Sequence, residues 1–384
     1  MGALDGTKVI DVSRLLPGAF CSTMLADHGA DVTVVEAPRF RENQVIGVVP
    51  MVRRNKRHIA LDLSGESGKN IFYELVAQAD VLIEGFRPGI ATKLGLDYES
   101  ICRVNPRVIY CSITGYGQDG PLRQKAGHDM NYMALAGILD LLRDNHGEPT
   151  QPNFQMANLS GSLYAVVGIL LALFSRTVTG KGQYIDVSIT DGLISLLAIP
   201  LSSVFSGSLI PGRPDNKSQE TYACYRLYRT KDNRHIFVGP LEAHLWKILC
   251  EKLGKPEYTE KQFDSSSIPE VSRGLQEIFS RRDLKDWIEF LGGPDYCVSP
   301  LNRVEDLPFE PQLIERQMIQ RNDQGVPVPG VAPRLSETPG SIRKDSYTFG
   351  GETIEILTEL GYSKDSILKL KKEGVIWAAD SATL

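Results

Sequence analysis

Apolar residues in this chain come in short runs, separated by stretches where they recur every three or four positions. Residues 7–12 (TKVIDV), 31–35 (DVTVV), 59–63, 81–84 and 108–113 are short and rich in β-branched side chains, so each is predicted as a buried strand. Between them, AFCSTMLADHGA (closing at Gly29), residues 68–77 and the text running to Arg103 have helical spacing. Strands alternating with helices predict a mostly parallel sheet covered on both faces. A turn at Pro17 and Gly18 opens the first helix, but LLPGAF lacks the G-x-G-x-x-G spacing that lets a pyrophosphate approach the backbone. The pattern therefore gives little support to a dinucleotide domain. In such sheets ligands gather beyond the carboxyl ends of the strands, which singles out the loops LLPG, EAPRF, EGFRPG and TGYGQDGP.

Further on, residues 129–137 and 160–176 read as helices, and TGKGQY turns into a strand at 184–189. The apolar run 163–174 is shorter than the roughly 20 residues of a membrane helix, so no membrane partner is expected. Residues 206–217 are rich in Gly, Pro and Ser and read as a domain boundary. A hairpin follows, with strands at 222–229 and 235–238 about a turn at 231–233. Helices are predicted at 244–253, 284–291, 311–324 and 353–373, with an extended return segment at 324–334. The fold class is therefore α/β: a large domain with a mostly parallel sheet flanked by helices, plus a smaller α+β domain. The expected limits are 1–205 for the first part of the large domain, 206–325 for the small one, and 326–384 for the return to the large one.

Composition narrows the function. The chain has 384 residues, beyond the roughly 250–300 at which one core stops growing. A net charge of −5 argues against duplex nucleic acid as a partner, although a local cationic patch can still hold an anionic ligand. The six cysteines show no C-x-x-C pairing, no metal-ligand spacing stands out, and free thiols in a reducing compartment are expected. The start MGALDGTKVIDVS has neither a basic segment nor a long apolar one, so a cytoplasmic location is expected.

Six stretches in order carry a family resemblance: VIDVSRLLPGAFCSTMLADHGADVTVVE, RRNKRHIALDL, IEGFRPGIATKLGLD, NPRVIYCSITGYGQDGP, AGHDMNYMALAGIL and TGKGQYIDVSITDG. Together they resemble the CaiB/BaiF family, which contains the family III CoA-transferases and the 2-methylacyl-CoA racemases. The resemblance spans most of residues 3–192 and continues more faintly through VGPLEAHLW and DYCVSPL. It implies an interlocked dimer, each chain threaded through its partner. It also implies coenzyme A or an acyl-CoA thioester as substrate, with no tightly bound cofactor.

Candidate residues follow from this. Arg53, Arg54, Lys56, Arg57 and Arg87 are the cations available for the phosphates of CoA, which call for fixed positive charge and guanidinium donors; a solvated basic turn is the alternative. His128 and Asp129 sit at a loop-to-helix junction. An imidazole there can take a proton from the carbon beside a thioester carbonyl, or it can simply cap the helix. In the family's racemases the His of this motif is one of two bases, supported by the adjacent Asp.

Asn158 is a departure, because the family carries an aspartate there: the nucleophile of the transferases and the second base of the racemases. An amide can neither form the mixed anhydride nor accept a proton near neutral pH. Glu242 matches a racemase glutamate near the catalytic pair, or is an ordinary helix-start carboxylate. Cys297 reads as packing and Asp186 as structural. Three functions are consistent with these residues. The first is a CoA-transferase subunit that moves CoA between carboxylic acids, a paralogous partner supplying the Asp nucleophile. The second is a 2-methylacyl-CoA racemase using His128. The third is a non-catalytic CoA-ester-binding protein.

Overall fold

The computed structural model describes residues 1–42, 50–144, 147–207 and 222–378. Its strands in chain order are β1 (Lys8–Asp11), β2 (Asp31–Glu36), β3 (Lys56–Leu61), β4 (Val81–Glu84), β5 (Ile109–Thr114) and β6 (Gln183–Ser188), then β7 (Arg226–Arg229), β8 (His235–Val238), β9 (Val298–Pro300), β10 (Ile319–Arg321), β11 (Pro327–Pro329) and β12 (Ile376–Trp377). The helices are α1 (Leu16–Asp27), α2 (Glu66–Ala77), α3 (Ile90–Leu94), α4 (Tyr98–Val104), α5 (Asp129–Leu135), α6 (Ile138–Leu141), α7 (Met156–Thr179) and α8 (Ile189–Leu196). They continue as α9 (Ala198–Phe205), α10 (Ala243–Lys252), α11 (Ile268–Phe279), α12 (Leu284–Phe290), α13 (Pro311–Glu315), α14 (Thr353–Glu359) and α15 (Lys364–Lys372).

The chain forms two compact units. The first comprises Met1–Asp140, Gln151–Ala198 and Pro311–Leu384; the second comprises Leu141–Thr150 and Ile199–Glu310. In the first, seven strands lie in the order β12-β3-β2-β1-β4-β5-β6, parallel except for β12 at the edge, which runs antiparallel to β3. Because β1 pairs with both β2 and β4, the order reverses about β1, and the loops after β1 and β4 diverge there. One face of the sheet buries Ile59, Leu61, Leu82 and Tyr110 against Ile71, Phe72 and Val76 of α2 and against Ile356, Leu357 and Ile367 of α14 and α15. Each such side chain contributes about 1.5–3 kcal/mol on leaving water.

The 24-residue α7 packs through small residues. Ala157, Gly161, Ala165 and Ala172 face inward, and a Cβ at Gly161 would sit 2.7 Å from Ile189. By length and composition α7 is apolar enough to cross a membrane, longer than the run the sequence suggested, since Met156–Leu159 begin it. Its opposite face exposes Val167, Leu171, Phe174 and Val178.

The second unit places the antiparallel sheet β7-β8-β9 against α10, α11 and α12 around Tyr228, Trp246, Phe279 and Trp287. The indole N–H of Trp246 donates to Tyr258 O, and that of Trp287 to Phe279 O, so both rings are buried without an orphan donor.

Several expectations change. Residues 311–324 are not one helix: α13 stops at Glu315, Gln317 takes φ +54°, and a short antiparallel hairpin of β10 and β11 follows. The predicted 353–373 helix breaks at Gly361 (φ +91°) into α14 and α15. The hairpin strand expected from residue 222 begins at Arg226. Of the boundary segment 206–217, residues 208–217 lie outside the described residues.

Candidate active site

Two cavities open beyond the carboxyl ends of the first unit's strands, and Ser13 and Phe86 line both. This is where a sheet whose order reverses about β1 leaves a crevice for ligand. The wall between them is fixed by close packing. Asp11, ending β1 in full burial, accepts from Ser13 N at 2.8 Å and Ser13 Oγ at 2.5 Å, and also from the Ser22 hydroxyl of α1. A Cβ on Gly18 would meet Ser13 Oγ at 1.9 Å, so only glycine lets α1 start so close to the strand end.

The cavity beside β1, β2 and β3 holds about 160 Å³ and is lined by Val34, Leu61, Leu63, Phe86, Leu94 and Phe349, with Arg14, Arg39 and Arg53 among its polar groups. The Arg14 guanidinium lies 4.2 Å from the Phe40 ring centre and that of Arg39 4.9 Å from it, while Arg53 lies 3.9 Å from the Tyr347 ring. Such stacking holds an arginine's plane.

The cavity beside β4, β5 and the start of α1 is larger, about 370 Å³. Arg87, Arg123, Lys125, His128, Tyr132 and Asn158 all line it, and no Asp or Glu does among the described residues. His128 is the N-cap residue of α5; its backbone N–H donates to Asn131 Oδ1 at 2.9 Å, and its side chain is exposed. Tyr132 wedges the loop before it: its hydroxyl donates to Gly127 O at 2.6 Å. A Cβ at Gly115 or Gly127 would come within 2.3 or 2.6 Å of its ring. Asn158 sits in the first turn of α7, half-buried. Its backbone N–H donates to Asp129 Oδ1 at 2.8 Å and its carbonyl accepts from Ser162.

Asp129 also caps α7. It is buried, lies outside the cavity lining, and accepts from the backbone N–H groups of Asn158 and Ala157 in the first turn. The helix's own N-cap residue, Gln155, makes no side-chain bond. Burial pushes the Asp129 carboxyl up, against those N–H bonds, and Oδ2 has no partner.

Of the five expected cations, Arg53 and Arg87 reach the cavities as exposed or partly exposed side chains. Lys56 borders the smaller one, but its ammonium is buried and donates to Ala19 O, Ser22 Oγ and Val52 O at 2.7–2.9 Å. Burial pulls its pKa down to about 8, partly offset by Asp11.

Arg54 is buried on Asp27, with Nη2 2.6 Å from Oδ2, and donates onward to Pro329 O at 2.6 Å. Arg57 is on the opposite sheet face from Lys56 and His58, as strand alternation requires, and pairs with Asp31 and Glu359. Arg54 and Arg57 are therefore committed to the fold. Glu242 belongs to the second unit, as the N-cap residue of α10.

The cations missed from sequence are Arg14, Arg39, Arg123 and Lys125. Arg39 lies in EAPRF, one of the loops singled out by position, and the others flank LLPG and TGYGQDGP, so strand ends were a better guide than the density of basic residues.

Comparison with known proteins gives a consistent answer. A sequence model of CoA-transferase family III matches residues 4–353. The chain is 33% identical over 377 residues to alpha-methylacyl-CoA racemase of Mus musculus, covering 97% of both chains. It is 31% identical over 401 residues to the beta subunit of succinyl-CoA–L-malate CoA-transferase of Chloroflexus aurantiacus, covering 97% of this chain and 98% of the other. The solved structure of a CAIB/BAIF family protein from Brucella suis superposes with a TM-score of 0.80 at 30% identity, covering 94% of this chain and 99% of that one.

Proposed function

Because the chain belongs to CoA-transferase family III, the group its motifs resembled, we propose that it binds an acyl-CoA thioester across the two adjoining cavities of its first unit. The phosphates are held at Arg14, Arg39 and Arg53, and the thioester lies by Arg87, His128 and Asn158. The observation that carries this reading is the shared wall at Ser13 and Phe86: an arginine-rich, aromatic-lined cavity opens beside one holding an imidazole. A long ligand, anionic at one end and reactive at the other, suits that pair.

For the reaction itself, we propose a CoA-transferase subunit that works with a related chain. Covalent transfer needs a carboxylate to take the acyl group and then the CoA. Position 158 offers an amide, and the cavity lining offers no acid among the described residues. The partner's carboxylate then forms the anhydride, while this chain grips the cofactor portion and directs hydrogen-bond donors at the carbonyl oxygen. The relative from Chloroflexus aurantiacus, named as a beta subunit, supports a two-chain enzyme. The unpartnered apolar face of α7 supports association with a second chain, on the interlocked plan the family resemblance implies.

His128 on the wall of the cavity, and the racemase relative, favour a second reading. With one base, His128 removes the proton beside the thioester and returns one from solvent to the same face, giving exchange without efficient inversion. Purification from the native source decides between them. A co-purifying homologue with Asp at the equivalent of position 158, and transferase activity only with it present, supports the first. A lone chain that exchanges the α-proton of 2-methylacyl-CoA in deuterated water supports the second. Binding without either leaves a CoA-ester carrier, and no CoA binding removes all three.

A further inference from the structure

Glu84, Ser112 and Asp186 stand side by side on three adjacent strands. Glu84 pairs in register with Ser112, and Ser112 with Asp186, across β4, β5 and β6. All three therefore project from the same sheet face, at the carboxyl ends where the cavity-lining loops begin. Glu84 is 3% exposed and Ser112 fully buried.

Every link leads to a loop. Glu84 accepts from Phe86 N at 2.6 Å, in the loop that carries Arg87, and is the register neighbour of Ser112, whose hydroxyl helps hold its carboxyl pKa down. Ser112 Oγ accepts from Gln118 Nε2 at 2.6 Å, and Asp186 accepts from Gln118 N at 3.0 Å, in the loop that carries Tyr116. Gln124 Nε2 then donates to Pro88 O at 3.0 Å, joining the two loops a second time on the outside. Phe86, Arg87 and Pro88 from one loop, and Thr114, Gly115 and Tyr116 from the other, line the larger cavity. None of Glu84, Ser112 and Asp186 does: Glu84 and Ser112 are buried behind the site, and Asp186 is exposed on the edge strand β6.

We propose that Glu84 is a positioning residue that, through Ser112 and Gln118, couples the Arg87 loop to the Tyr116 loop so that both present one fixed wall to the thioester. Polar side chains packed side by side in a low-dielectric interior polarise one another, and removing one weakens more than its own bond. The coupling rests on the acyl-CoA reading only for its purpose; the connection between the loops does not depend on it.

Two measurements on the full chain test this. Amide hydrogen exchange is followed in ligand-free protein for peptides covering residues 85–91 and 115–121. Affinity for coenzyme A and acetyl-CoA is measured by titration calorimetry. In Glu84→Ala, exchange should rise about tenfold or more in both peptides, although only Phe86 N bonds Glu84 directly, and both affinities should fall about tenfold. Glu84→Gln keeps an acceptor for Phe86 and should restore both to within about threefold of wild type.

Ser112→Ala should loosen the 115–121 peptide as much as Glu84→Ala does, and the double variant should be no worse, because members of one network are not additive. Loosening confined to 85–91, or a Glu84→Gln protein as loose as Glu84→Ala, overturns the coupling. Coupled exchange in a chain that binds neither coenzyme A nor acetyl-CoA leaves the proposal standing and removes the functional reading instead.

Discussion

Asp129 Oδ1 lies 2.8 Å from the backbone nitrogen of Asn158, which ties the loop bearing His128 to the first turn of α7. The two sides of the cavity that carry His128 and Asn158 are thus set by one buried carboxylate. The placing of the His128 loop and the capping of α7 are the same bond seen from two elements.

Removing that carboxylate frees two helix N–H groups. Asp129→Ala is expected to cost about 1–2 kcal/mol of stability, a cap-sized loss. Asp129→Asn, which keeps one acceptor, should recover more than half of it. Thermal unfolding checks both, and a variant with unchanged melting temperature would show that the cap carries no weight.

Restoring the acid at position 158 tests the account of lost covalent chemistry. Asn158→Asp sets a carboxylate beside the positive end of α7, where a helix N-terminus favours the ionised form. The purified single chain should then gain hydroxylamine-trappable acyl-enzyme on incubation with an acyl-CoA substrate, or faster α-proton exchange in the racemase reading. No gain in either would mean that the neighbouring loop, and not the amide, limits turnover.

Arg54 and Arg87 should separate cleanly. Arg54→Ala strands Asp27 as a buried unpaired charge, and about 3–5 kcal/mol of stability should go with it. Its CoA affinity per folded molecule should be unchanged. Arg87→Ala, on an exposed loop in the cavity, should lower CoA-ester affinity about tenfold at unchanged melting temperature. The opposite pattern would reverse the two assignments.

Glu84 makes stability depend on pH. Burial raises its carboxyl from the ordinary 4.5 to about 7, with Asp186 adding to the shift and the bonds from Ser112 and Phe86 opposing it. Tyr110, Cys111 and Tyr184 face the same charge. The folded chain holds this proton more tightly than the unfolded one. Its contribution is therefore whole below about pH 4.5 and drains away as pH rises to about 7. Glu84→Gln cannot titrate, so it should gain stability relative to wild type between pH 5 and 8 and level off above. A melting-temperature difference flat across that range would contradict the raised value.

The strands and their order of helices were legible because five short β-branched runs recur at βαβ spacing, which leaves a parallel sheet as the economical arrangement. Edge strand β12 was not: two residues, Ile376 and Trp377, carry no period. The hairpin of β10 and β11 was hidden by Ile314 and Met318, whose four-residue spacing mimics a helix that the left-handed Gln317 interrupts.

In the site, His128 and Asn158, singled out because their chemistry is local to a motif, both line the larger cavity. Arg54 misled because a run of basic residues says nothing about which way each points. Lys56, Arg57 and Arg54 leave one short stretch toward three different sets of partners. The row behind the cavity could not be read at all, since Glu84, Ser112 and Asp186 become neighbours only through strand register.

Arg54 and Glu36 find their partners 275 to 314 positions further along, at Pro329 and Gly350. During synthesis the sheet's early strands leave the ribosome well before the segment that supplies these hydrogen bonds. The smaller cavity, whose lining includes Tyr347 and Phe349, is therefore completed only once that late segment is made, whereas every residue lining the larger one is made by Ile189.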